Sequence, residues 1–243
     1  MTWNSFPRQT YGREVAIAIP AIYRSTVGKK AVMAVTGGIL VLYLVAHMVG
    51  NLKIFLGAEE FNHYAHWLRT MGEPAVPRRT VLTLIEVVLT VSVVLHMWSA
   101  ISLGKRAAHA RPVKYQSKKK SHAQGYAVHT MRYGGVIIAF YVVWHLLDLT
   151  FFVVNPKGSE ATPYERMVAD FDASRWYVTV WYVAALLLVG LHLRHGIWSA
   201  FQTLGLRTPR SERALRGLAN TVAGLVTLGF VSVPLSITFG WVS

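Results

Sequence analysis

Five stretches of this chain, residues 31–52, 80–104, 133–154, 176–206 and 217–241, are long apolar runs. A helix needs about 20 such residues to cross a bilayer core. Inside lipid every backbone N–H and C=O needs a partner within the protein, so runs of this length are expected to be helices. The expected fold is all-α: an integral membrane bundle of five transmembrane helices, one domain over residues 1–243, with 1–30 as an N-terminal segment. The balance of 53% hydrophobic to 15% charged residues places the chain with membrane proteins rather than soluble ones. The fifth run holds no histidine and no charge. It reads as packing, with Pro234 expected to kink it.

The basic residues decide direction. With the N-terminus inside, segments 1–30, 105–132 and 207–216 carry 5, 8 and 4 Lys and Arg, against 4 and 3 in the outer loops 53–79 and 155–175. That asymmetry follows the positive-inside rule and predicts a cytoplasmic N-terminus and an outer C-terminus. Arg8, Arg13, Arg24, Lys29 and Lys30 precede the first run with no short apolar core and cleavage site. The first span is therefore expected to do the targeting, without a cleaved signal peptide.

A net charge of +14 invites a nucleic-acid reading. Because the charges lie between apolar runs, they fit an anionic lipid surface or an acidic partner better, and no nucleic acid is expected. Lys118–Lys120, in the long basic loop, suit lipid headgroups or a docking surface for a soluble subunit. His109, His122 and His129 there read as solvated or interfacial. The absence of cysteine excludes disulfides, cysteine-held iron–sulfur clusters and thiolate chemistry on this chain.

Five of the ten histidines lie within the spans: His47, His96, His145, His192 and His195. One buried histidine could be structural, but four consecutive spans carrying one points to a functional interior. Following the chain in and out, His47 and His145 fall at an outer level. His96 falls at an inner level with His192 or His195. At 1.5 Å of rise per residue the levels are on the order of 15–20 Å apart. Two histidines per level, on facing helices, suit two bis-histidine haems b stacked in a four-helix bundle. Zinc would want more ligands at one level, and a proton relay would want ionisable groups between the levels.

"TGG" (36–38) and "YGG" (133–135) lie about three turns before His47 and His145, and Gly37 and Gly134 there can admit a porphyrin or a neighbouring helix. Tyr43 and Tyr141 each precede an outer histidine by four residues, on the same helix face, either edging a haem or packing as ordinary aromatics. His63 and His66, in "EEFNHYAHWLR", could bind metal as an i, i+3 pair. Amphipathic packing at the membrane boundary with Phe61 and Trp67 is the better reading.

"STVGKKAVMAVTG" (25–37), "HMVGN" (47–51) and "HLRHGIWSAFQTLG" (192–205) resemble the dihaem cytochrome b subunit of succinate dehydrogenase and fumarate reductase, the succinate:menaquinone type. The resemblance runs from about Ser25 to the C-terminus. Bare depth slightly prefers His195 as the inner ligand. The family's H-x-x-x-G pattern, followed nine residues on by another glycine, fits His192, Gly196 and Gly205 instead. The resemblance therefore implies His47 and His145 on an outer haem b, His96 and His192 on an inner one, and His195 in the surroundings. Arg194 is expected at the cytoplasmic boundary or on a haem propionate.

The same resemblance implies a multi-pass subunit of a bacterial plasma membrane that carries none of the succinate chemistry. A flavoprotein subunit would oxidise succinate, an iron–sulfur subunit would dock on the cytoplasmic face, and a quinone, menaquinone by type, would be reduced in the membrane. Glu86 and Asp148, the two carboxylates within the spans, are the candidate groups for quinone protonation, each with a structural role as the alternative. Arg78, Arg79 and Lys53 are candidates for outer propionates, and Ser25 and Lys29 for a quinone site on the inner side. The competing readings are a formate dehydrogenase or hydrogenase cytochrome b, which resembles a four-helix plan, and a haem-free anchor or transporter.

Overall fold

The computed structural model describes residues 25–110 and 122–243, with residues 122–130 described by backbone alone. Among the described residues it is all-helical: α1 (Thr26–Leu52), α2 (Ala58–Thr70), α3 (Thr80–His109), α4 (His122–Leu149), α5 (Pro163–Asp170), α6 (Trp176–Thr203) and α7 (Glu212–Thr238). Helices α1, α3, α4, α6 and α7 are long and apolar enough to cross a membrane. The short helices α2 and α5 pack on each other between spans. Arg8, Arg13, Arg24 and Lys118–Lys120 lie outside the described residues.

Local chemistry sets the ends, and it moves several of them from the expected bounds. α1 begins five residues early because the Ser25 hydroxyl caps it, accepting from Gly28 N–H at 2.9 Å. α4 begins eleven residues early but stops at Leu149, short of 154. There the chain turns through Phe152 at φ 58°, and the amides of Phe151 and Val153 close back onto the carbonyls of Leu146 and Leu147. α6 ends at Thr203, where Gly205 at φ 73° adopts the left-handed conformation a glycine takes at little cost. α7 starts five residues early at Glu212 and keeps Pro234 inside the helix.

α1 and α6 form the centre of the bundle. They touch each other; α3 packs on α1, α4 packs on α6, and α7 lies against both. Apolar side chains such as Leu84, Val87, Val91, Val94, Phe140 and Val143 face outward, as they must where lipid is the solvent. Lipid tails are as apolar as leucine, so association of the helices rests on close packing, which small residues permit. Gly190 on α6 meets Thr227 on α7, and Gly229 on α7 meets Met48 on α1, each with no room for a β-carbon. Gly190→Ala is therefore expected to lower stability by about 1–3 kcal/mol, the usual cost of overpacking. Detergent-solubilised protein should show it as a lower Tm.

Candidate cofactor site: two histidine pairs

α1 and α4 each bring one histidine to the same half of the bundle, the half that the charge pattern predicts to be outer. The rings of His47 and His145 have centroids 5.9 Å apart, nearly perpendicular at 80°. α3 and α6 do the same in the inner half, where His96 and His192 stand 6.2 Å apart at 61°. Three helices give the spacing between levels independently. Gly37, whose β-position lies 3.2 Å from His96, is ten residues before His47. Gly135, 3.9 Å from His192, is ten residues before His145. Tyr182, whose ring is 6.0 Å from that of His145, is ten residues before His192. Ten residues of helix span about 15 Å.

Each pair fits a single metal ion between its rings. With imidazole nitrogens about 2 Å from a metal, two ligands on opposite sides put their ring centroids about 6 Å apart. His145 Nδ1 and His192 Nδ1 are buried with no hydrogen-bond partner in the protein, a state that buried nitrogens seldom keep without an external ligand. At His96 the second nitrogen is committed. Nδ1 lies 3.1 Å from the Met33 carbonyl, which assigns the proton to Nδ1 and leaves Nε2 as a free lone pair. Thr36, its hydroxyl turned to the Val32 carbonyl at 2.7 Å, sits 3.4 Å from the same nitrogen. No third histidine or carboxylate joins either pair: among the described residues no group of three such ligands could hold a metal ion.

The surroundings are aromatic and small. Tyr43 stacks on His47 at 5.2 Å and 14°, and Phe230 of α7 closes the other side at 5.6 Å. Tyr141, buried, lies 5.8 Å from His145. The two glycine motifs serve the inner level: Gly37 touches His96, and Gly135, one residue past Gly134, approaches His192, while a β-carbon on buried Gly134 would meet open space. His195 does not reach His96. Its ring lies 6.3 Å from Trp198. Arg194 is exposed and donates to Asn220 of α7 at 2.9 Å.

The other expected residues are spread out. Ser25 and Lys29 open α1 far from the outer pair, with the Lys29 amide on the Ser25 carbonyl. Glu86 is half-exposed and pairs with Arg79 at 3.3 Å, which commits that arginine elsewhere than the histidines. Lys53 sits over the Tyr64 ring at 5.5 Å. His63 and His66 are exposed on α2. Asp148, by contrast, is fully buried and accepts from the Tyr182 hydroxyl at 2.7 Å. A partner that sequence reading missed stands beside it: Asp170, the last residue of α5, also fully buried and within hydrogen-bonding reach.

Residues 107–231, just over half the chain, match the succinate dehydrogenase/fumarate reductase transmembrane subunit family. The chain belongs to that family. A member from Bacillus subtilis (strain 168), the succinate dehydrogenase cytochrome b558 subunit, is 25% identical over 173 residues, covering 71% of this chain and 77% of that protein. No solved structure matches significantly. Family membership and five membrane-length helices make the chain a multi-pass membrane subunit of a succinate dehydrogenase or fumarate reductase complex, in keeping with a bacterial plasma membrane.

Proposed function

We propose that this chain is the dihaem membrane anchor of a succinate:quinone oxidoreductase, with His47 and His145 holding an outer haem b and His96 and His192 an inner one. The two histidine pairs, about 15 Å apart on four different helices, carry the reading. When bound, haem iron supplies one-electron transfer between a docked iron–sulfur subunit on the cytoplasmic side and a membrane quinone, menaquinone by family type. A flavoprotein subunit beyond the iron–sulfur subunit carries the succinate chemistry.

This chain's residues hold and orient. The Met33 carbonyl fixes the His96 tautomer and ring plane. Gly37 and Gly135 keep the inner level free of side-chain bulk beside both imidazoles. Tyr43, Tyr141 and Phe230 wall the outer level and exclude water there. Asp148, buried one turn after His145, is the stronger of the two span carboxylates for handling the quinone's protons. Glu86 is open to its surroundings and paired with a surface arginine. In this reading the start of α1 and the end of α3 are cytoplasmic, which offers Lys29, Lys30 and Lys105 to docked subunits and lipid headgroups.

Haem stoichiometry tests the proposal. Purified complex is expected to give two haems b per chain by pyridine haemochrome, with separable potentials because the levels differ in depth and neighbours. One haem, or none, overturns it.

A further inference from the structure

Asp148 and Asp170 meet at the outer end of the bundle, from α4 and from α5. Both residues have no exposed surface. Tyr182 donates to Asp148 Oδ2 at 2.7 Å. On the far side Arg175 donates to Asp170 Oδ1 at 3.0 Å and to the Asp170 carbonyl at 3.3 Å. The two remaining oxygens, Asp148 Oδ1 and Asp170 Oδ2, are buried and receive no donor from the protein. They belong to carboxyls within hydrogen-bonding reach of each other, and two carboxylates cannot bond unless one of them carries a proton.

Charge leads to the same conclusion. The titratable and charged groups around the pair are Tyr141 and His145 on α4, Tyr182 on α6 and Arg175 at the start of α6. Arg175 is the one fixed cation among them. Two carboxylates beside one guanidinium would leave a net negative charge in a site shut off from water. One added proton makes the cluster neutral. The site is separate from the histidine nitrogens, since His145 Nδ1 bonds to neither carboxyl.

We propose that Asp148 and Asp170 form a one-proton site, a carboxylic acid bonded to a carboxylate, that exchanges protons with water on the outer face past Arg175. Arg175 is partly exposed, at 22% of its side chain, so the outer end of the cluster touches solvent while the Tyr182 end touches the aromatic wall of the outer histidine pair. Its use as the source or sink of a quinone's protons rests on the proposed function; the site itself does not.

Burial first, and Asp148 second, push the Asp170 carboxyl up to about 8, against the pull of Arg175. In the unfolded chain an aspartate titrates at about 4. The fold thus keeps a proton that the unfolded chain has already lost. Its contribution to stability is full below about pH 4, declines as pH rises, and is gone above the folded value.

Infrared difference spectroscopy of the complex in proteoliposomes provides the test. A protonated-carboxyl C=O band, shifted in D2O, is expected and should vanish as the outer pH alone is raised through about 8. Asp148→Asn should lower the outer pH at which the band vanishes, because burial of Asp170 remains while the push from Asp148 is gone. Asp170→Asn should abolish it, since the carboxyl that holds the proton becomes an amide. The wild-type titration needs no variant to fold. Absence of a D2O-sensitive acid band, a band that ignores the outer pH, or one unchanged in Asp148→Asn overturns the site. Because the band does not depend on haem, a low haem count with the band present refutes only the proposed function. Two haems without the band refute only this inference.

Discussion

His192→Ala is expected to remove the inner low-spin haem signal and leave the outer one in place, whereas His195→Ala should retain both. The two histidines are three residues apart, so both project to nearly the same side of α6, and only their partners separate them. His192 faces His96 with ring centroids 6.2 Å apart, while His195 lies against Trp198. On the proposed ligation, removing the His192 imidazole would leave His96 as the one protein ligand of the inner haem, and iron held by a single imidazole would turn high-spin or be lost. The His195 change alters only a neighbour and should move the inner potential slightly. Low-temperature EPR of both variants reads the outcome. Loss of the inner low-spin signal in His195→Ala, with the signal intact in His192→Ala, would give the ligand role to His195.

The bundle itself was legible because lipid leaves few choices. Five apolar runs must be helices, and the alternation of their directions assigns each histidine a depth. Depth alone could not separate His192 from His195, since three residues of rise is a smaller interval than the uncertainty in where a helix ends. α4 shows how large that uncertainty is: it starts eleven residues before the apolar run and stops five residues before that run's end, at a turn through Phe152. The choice of Gly134 over Gly135 was similarly fine. Adjacent helical positions point about 100° apart, and only the packed neighbour shows that the second glycine approaches His192.

Asp170 was illegible for a different reason. It ends a short helix whose capping box at Thr162 and Glu165 looks like ordinary surface structure. Its burial follows from α5 folding back over the outer end of the bundle, a tertiary event with no periodicity to announce it. The one available signal was an unexplained pairing need. Asp148 within a span had no lysine or arginine one turn away on its own helix, and His145 was already assigned elsewhere, so its compensation had to come from another element.

At the outer level, His47→Ala or His145→Ala is expected to cost one haem per chain and leave the inner haem's spectrum unchanged. The pairing is specific: His47 meets His145 at 5.9 Å, and about 15 Å of helix separates that pair from His96 and His192. Alanine also unpacks the site, because Tyr43 stacks on His47 and Tyr141 lies against His145, so lost haem could reflect a collapsed wall. His145→Met separates the two causes. A thioether fills similar volume, can still ligate iron, and raises the potential relative to a second imidazole. Redox titration followed in the visible spectrum should then show a retained outer haem with its potential shifted upward and the inner potential nearly fixed. If the shifted component were instead the haem that His96→Ala removes, the two levels would be wrongly paired. The depth argument and the ring geometry would then both fall.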